Sequence, residues 1–197
     1  ATGFYTPTWP RLKDQSVFSS NEEISSDLGT DIGSLKALVN ARGTKRATFE
    51  DLDGALNADG ETNYEKKIQG SVLMNVMAEF DNLVHGIVTG MNDILTSSDS
   101  SGNTVNLFEK VDSAGKWTTD NLTINSDVKQ TPTKLDNGFV NADYSVNQSD
   151  ADALSSLFSN TFSTLNPTTK TQLTFSSYYT ALIADNATTG STYKAIA

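Results

Sequence analysis

Cysteine is absent from the 197 residues, and histidine occurs once, as His85. A chain without thiols excludes disulfide scaffolds, thiol catalysis, iron–sulfur clusters and cysteine-ligated zinc modules. With one imidazole, a Ser-His-Asp arrangement has a single possible base. Basic residues are also scarce: 14 Lys and Arg stand against 24 Asp and Glu, for a formal net charge of -10. Nucleic-acid binding needs clustered cations to release counterions, and no such cluster occurs. The same deficit disfavours anionic membrane surfaces. No uninterrupted apolar run approaches the ~20 residues of a membrane helix, so neither nucleic acid nor membrane is expected as a partner. Hydrophobic residues make up only 37% of the chain. A core that thin favours elongated shapes with much surface for their volume. Ala1 opens the chain without an initiator Met or an apolar signal region, which reads as an excised or processed piece.

What the chain does contain is Ser, Thr and Asn, roughly a third of all residues, and a few stretches of clear periodicity. Residues 1–30 are punctuated by Gly3, Pro7, Pro10 and Gly29, with Phe4, Tyr5, Trp9 and Phe18 between them, and read as extended or hairpin structure. Ser34 as N-cap and Gly43 just past the last turn predict a short helix over 35–42. Between 44 and 62, Phe49, Leu52 and Leu56 have helical spacing, but Gly54 and Gly60 interrupt it, so a short helix or turn-rich bridge is expected.

The strongest pattern runs from about Tyr64 to Leu95. Met77, Phe80, Val84, Ile87, Met91 and Ile94 are spaced 3, 4, 3, 4, 3, the a/d seam of a heptad. Asn75, Glu79, Asn82, Gly86, Thr89 and Asp93 fall on the opposite stripe, while Val72, Val76, Leu83, Val88 and Leu95 broaden the apolar side enough to require two neighbours. About 32 helical residues would span roughly 48 Å, more than a compact domain of this mass needs. Gly70, Gly86 and Gly90 fall inside this helix, where each costs about 1 kcal/mol against Ala. Close approach of another helix would justify that cost.

Beyond Ser97 the pattern changes. Val105–Phe108 and Leu122–Ile124 are short strand-like pieces in an irregular stretch. Helical spacing resumes from Ser149 through Ala151, Leu154, Phe158, Phe162 and Leu165 until Pro167. A final helix from Thr174 to Ala187 carries Phe175, Tyr178, Tyr179, Leu182 and Ile183, with Gly190 as its terminator. The expected fold is mainly α: an elongated helical bundle or rod with a long central helix and a small irregular or β-hairpin-like insertion. Its parts are a lead-in and rod over 1–96, the insertion over 97–147, and a C-terminal helical part over 148–197.

No catalytic, cofactor-binding or metal site emerges. Asn57-Ala58-Asp59-Gly60 has a fragment of a calcium-loop pattern, but Ala55 and Lys66 occupy ligand positions, so an Asx/Gly turn is the better reading. His85 has Asp81 one turn before it and no nucleophile elbow anywhere in the chain, which makes it a solvated or interface residue bonded to a neighbour. Asp51 with Asp53, Asp150 with Asp152, and Glu22 with Glu23 are adjacent carboxylates in polar stretches, where the raised pKa of a general acid has no source. Asp150 and Asp152 suit the first turn of a helix.

Four stretches together carry a resemblance: Gly33-Ser34-Leu35-Lys36-Ala37-Leu38-Val39-Asn40-Ala41-Arg42, the long helix ending in Met91-Asn92, Leu122-Thr123-Ile124-Asn125, and Thr174-Phe175-Ser176-Ser177-Tyr178-Tyr179-Thr180-Ala181-Leu182-Ile183. In order and spacing over about 35–197 the chain resembles the flagellar hook-associated protein 1 family (FlgK). The family commonly has Asp where Gly43 stands and His where Leu95 stands. Its large β-domain would be reduced here to 97–147, and its terminal helical segments would be missing from both ends. The resemblance implies a structural, non-enzymatic subunit at the junction of hook and filament, exported through the flagellar apparatus without a cleaved signal peptide and held outside the cell. Implied partners are further copies of itself, the hook protein, the second hook–filament junction protein, and the export apparatus with its chaperone.

Two alternatives stand beside this, the first from the resemblance and the second from the residues. Another axial flagellar protein, such as flagellin or the second junction protein, would share the helical pattern. An adhesive or carbohydrate-binding surface module is suggested by the hydroxyl-rich composition and by Tyr5, Trp9, Trp117 and Tyr144.

Overall fold

The computed structural model describes residues 8–13, 15–16, 34–97, 106–139 and 145–196. The chain is mainly α-helical, and it divides into two compact units, residues 1–79 with 186–197 and residues 80–185.

In the first unit, β1 (Thr8–Trp9) and β2 (Gln15–Ser16) pair antiparallel, the hairpin expected of the lead-in. Helix α1 (Ser34–Arg42) ends at Gly43, whose φ of 80° is the left-handed turn that its position predicts. The bridge over 44–62 contains one turn of 3-10 helix at Phe49–Asp51 and no α-helix. Leu56 pairs with Thr62 across the Asn57–Gly60 turn and is exposed, so its helical spacing with Phe49 and Leu52 has no structural meaning.

The long helix expected over 64–95 is two helices, α2 (Asn63–Lys67) and α3 (Val72–Ser97). The break lies at Ile68–Gly70, where the amides of Ile68 and Gln69 both donate to the Tyr64 carbonyl and the Ser71 amide returns to that of Ile68. Ser71 then begins α3, its hydroxyl accepting from the Met74 amide at 3.4 Å while donating to the Ala41 carbonyl at 3.2 Å. One side chain thus caps the start of α3 and the end of α1. Gly70 belongs to the turn, and a methyl group there would meet nothing within 4 Å; it is not the packing position that a continuous helix implied. Ala47, Tyr64, Ile68, Met74 and Ala78 form the core of this unit, with Leu52 and Met77 against it.

Helix α2 is opened by a reciprocal cap. The Thr62 hydroxyl accepts from the Glu65 amide at 3.0 Å, and the Glu65 carboxylate accepts from the Thr62 amide and hydroxyl at 2.9 Å each. The bond from the Thr62 backbone, then that from its hydroxyl, hold the Glu65 pKa below the ordinary 4.5. A carboxylate held below its unfolded value stabilises the fold above that value, and the contribution disappears as pH falls through the folded pKa. We expect the carboxyl carbon of Glu65 to titrate by NMR with a midpoint below 4.5, and Thr62→Val to move it part of the way back. A midpoint unaffected by Thr62→Val would contradict the hydroxyl's share and leave the shift to the Thr62 amide alone.

In the second unit, β3 (Phe108–Glu109) pairs antiparallel with β4 (Thr123–Ile124), Phe108 opposite Ile124. The two strand-like pieces of the sequence therefore meet as a small hairpin ribbon. Asn125 caps the short helix α4 (Ser126–Gln130) by accepting from the Asp127 amide at 2.8 Å, and a 3-10 stretch follows at Pro132–Phe139. Helix α5 (Gln148–Leu157) stops ten residues before Pro167. Phe158, Phe162 and Leu165 lie in the loop beyond it, which pairs back on itself through the Phe162 amide and the Leu173 carbonyl at 2.7 Å. Their helical spacing comes from packing a loop onto helices. Helix α6 (Phe175–Ile196) starts at Thr174, whose hydroxyl accepts from the Ser177 amide, and runs through Gly190. Glycine weakens a helix without ending it when nothing else terminates the segment.

The core of this unit joins Leu83 of α3 to Leu165, Phe175, Tyr178 and Leu182, with Ile87, Leu157, Phe162 and Leu173 around them. Phe162 lies with its ring centroid 4.6 Å from that of Phe175 and 5.5 Å from that of Tyr178. Gly86 and Gly90 are where this loop and α5 meet α3. A Cβ at Gly86 would come within 2.0 Å of the Phe162 ring, and one at Gly90 within 2.7 Å of Leu157. Overpacking of that kind costs about 1–3 kcal/mol and exceeds the gain of about 1 kcal/mol from adding a helix-favouring methyl group. Gly86→Ala should therefore destabilise in urea titration, whereas Gly190→Ala, with open space around its Cβ, should be neutral or stabilising. A stabilising Gly86→Ala would refute the packing account.

Candidate functional site

Helix α3 is the element on which the sequence places its interaction surface, and its register decides which face is free. The expected seam is Met77, Phe80, Val84, Ile87, Met91 and Ile94. Buried positions on α3 include Met74, Glu79, Leu83 and Gly86 as well as Ala78, Asp81, Val88, Asn92 and Leu95, and the last five, with the half-buried His85, follow the seam by one residue. Phe80, in the expected seam, is 45% exposed. The other seam residues, Met77, Val84, Ile87, Met91 and Ile94, are half-buried, and Met77 and Ile87 pack against the two apolar clusters, so polar side chains share the covered side of α3 with the seam.

The cause is chemical. Part of what covers α3 in the second unit is main chain from the segment 106–125, and main chain is received by polar side chains. The Asp81 carboxylate accepts from the Thr119 amide at 2.7 Å, and His85 Nδ1 donates to the Trp117 carbonyl at 3.0 Å. The Asn92 carboxamide meets both backbone groups of Phe108, donating to its carbonyl and accepting from its amide at 3.1 Å each. An apolar count along the helix passes over all three residues. The opposite stripe is also largely covered: Glu79 is buried with Oε1 accepting from Asn75 at 3.3 Å, Gly86 is buried, and Asn82 donates to Tyr178 at 3.2 Å and Ser163 at 3.4 Å. Asp93 alone of the six is exposed.

The other singled-out residues have local roles. Asn57 Oδ1 accepts from the Asp59 amide at 2.9 Å, Gly60 has a φ of 82°, and Asp59 pairs with Lys66 at 3.0 Å, which is the Asx/Gly turn expected. Lys66, in the place of a calcium ligand, has its pKa raised by that bond to Asp59. Asp51 caps its 3-10 turn from the Thr48 amide and pairs with Lys45; Asp53 accepts from the Ala55 amide. Asp150 sits in the first turn of α5 and accepts from its cap Asn147, and Asp152 accepts from Gln148. These carboxylates do not converge, and among the described residues no three His, Asp or Glu side chains are grouped to hold a metal. Trp117 carries the Lys110 ammonium 5.2 Å from its ring centroid, so that face is no open platform for a sugar. Trp9 is exposed. Glu22, Glu23, Tyr5 and Tyr144 lie outside the described residues.

The chain matches no family model, no curated protein and no solved structure. Its candidate site is accordingly a surface built from its own residues. In the second unit the exposed large apolar side chains include Phe80 on α3, Phe158 after α5, and Tyr179 and Ile183 on α6. Among the described residues, no helix is long and apolar enough to cross a membrane.

Proposed function

We propose that the protein is a structural subunit of the bacterial flagellum at the hook–filament junction, acting outside the cell through lateral packing of its helices. The observation that supports this reading is the way three dispersed parts of the family resemblance come together in the second unit. Asn92, of the Met91-Asn92 pair, holds both backbone groups of Phe108. Phe108 pairs with Ile124 of Leu122–Asn125, and Asn125 caps the helix that follows. Tyr178, of the closing motif, is buried and bonded to the Leu165 carbonyl at 3.0 Å and to Asn82 of α3. Motif residues with such specific partners are those a shared fold would keep.

The elongated rod belongs to the same proposal. So do the partners: neighbouring copies, the hook protein and the second junction protein in the assembly, with the export apparatus and its chaperone on the way. Phe80, Tyr179 and Ile183, 45%, 50% and 48% exposed, are then contact residues for neighbours, and covering what is open contributes about half of a full burial, about 1 kcal/mol each. Deleting the encoding gene tests the reading. Cells with hooks, no filaments and filament subunits in the medium are expected. Normal filaments on the deletion strain would overturn it.

A further inference from the structure

The segment 106–125 is attached to the second unit differently from everything around it. None of its twenty residues is buried. Neither apolar cluster takes a member from it among the described residues, although α3 beneath it buries Asp81, Val88 and Asn92. Its bonds to α3 described above run from polar side chains to main chain, at Phe108, Trp117 and Thr119.

Within itself the segment is closely tied. The Asn125 amide donates to the Leu107 carbonyl at 3.0 Å, closing the two ends on each other. Phe108 and Glu109 pair with Ile124 and Thr123. The Asn121 carboxamide accepts from the Asp112 amide at 2.6 Å and donates to the carbonyls of Asp112 and Lys116 at 2.9 Å each.

We propose that residues 106–125 form a strap that opens from α3 and closes on it as one body while the Leu83–Phe175–Tyr178 core stays folded. The reason is the difference between the two kinds of attachment. Hydrogen bonds to main chain are exchanged for bonds to water at a modest net cost, and opening wets Val88 besides, whereas taking the core apart exposes a whole cluster of apolar side chains. Elements with few buried apolar contacts open at lower free energy than the core they rest on. The internal ties keep the strap's own shape when its bonds to Asp81, His85 and Asn92 are given up. Opening uncovers a row of side chains that had been satisfied by backbone, so the device switches α3 between a closed and a hydrogen-bonding face.

Native-state hydrogen exchange of the intact protein, followed by NMR over a series of low urea concentrations, tests this. The amides of Phe108 and Thr119, which donate to α3, should exchange together, about tenfold or more faster than that of Tyr178 in α6, and with a weaker dependence on urea. Asn92→Ala should accelerate Thr119 as well as Phe108 by about tenfold, although Thr119 bonds to Asp81, and leave Tyr178 within about twofold. A common rate and urea dependence for all three amides in the unaltered protein would overturn the strap. Acceleration of Phe108 alone in Asn92→Ala would overturn its movement as one body.

Discussion

Tyr178→Ala is expected to lower stability by about 3–5 kcal/mol, the range for truncating a buried aromatic residue. The side chain is fully buried and stands edge-on to Phe162, with centroids 5.5 Å apart, in the cluster that joins α3 to α6. Its hydroxyl donates to the Leu165 carbonyl at 3.0 Å and accepts from Asn82 at 3.2 Å. Truncation therefore leaves a cavity at the centre of the cluster and deprives the Leu165 carbonyl of this donor. Tyr178→Phe separates the two losses: the ring remains, and about 1–2 kcal/mol should be lost with the hydroxyl. Urea titration of both variants measures the difference. Equal losses in the two would mean that the hydroxyl, and not the ring, holds the helices together. A loss below about 1 kcal/mol in Tyr178→Ala would mean that the cluster does not tie α3 to α6.

Which parts of this architecture were legible follows from what a periodicity can report. The start of the closing helix, Gly43 as a left-handed terminator and the Asn57–Gly60 turn were readable because local backbone chemistry decides them, whereas Gly190 was misread as the end of a helix that runs on to Ile196. The meeting of Phe108 with Ile124 was readable only as two strand-like pieces, since pairing is a tertiary fact. Apolar spacing misled where tertiary contacts imitate a helix: Phe158, Phe162 and Leu165 have helical intervals but line a loop folded onto Leu83 and Phe175. On α3 it found the broad apolar side that buries Leu83, Val88 and Leu95, but it passed over Asp81, His85 and Asn92, because a hydrophobic pattern skips polar residues. The polar residues Asp81, His85 and Asn92 in a register shared with Ala78, Val88 and Leu95, spaced 4 and 7 along the helix, are the signal that would have marked a helix partly covered by main chain. Gly86 and Gly90 were legible as close approaches; Gly70 was not distinguishable from them, because the break at Ile68–Gly70 depends on Ser71 capping two helices at once.

Gly43→Ala should cost about 2–4 kcal/mol, from two sources that can be measured apart. The first is conformational: at a φ of 80° an L-residue with a Cβ loses about 1–2 kcal/mol relative to glycine. The second is overlap, since the added Cβ would stand 2.1 Å from Met74 Sδ and 2.6 Å from Ser71 Oγ. A methionine yields more readily than backbone, but Met74 is buried in the cluster with Tyr64 and Ile68, so its thioether must push into them. Ser71 is no freer, because its hydroxyl bridges the Ala41 carbonyl and the first turn of α3. Moving either side chain loosens the seat of α1 on α3. Met74→Ala removes the overlap with the thioether and leaves the dihedral penalty and the contact with Ser71, so the double variant Gly43→Ala/Met74→Ala should be more stable than the sum of the two single losses by about 1–2 kcal/mol. Strict additivity would assign the cost to the backbone and Ser71 and none of it to Met74. A Gly43→Ala variant within about 0.5 kcal/mol of the unaltered protein would show that the turn after α1 does not need a left-handed residue.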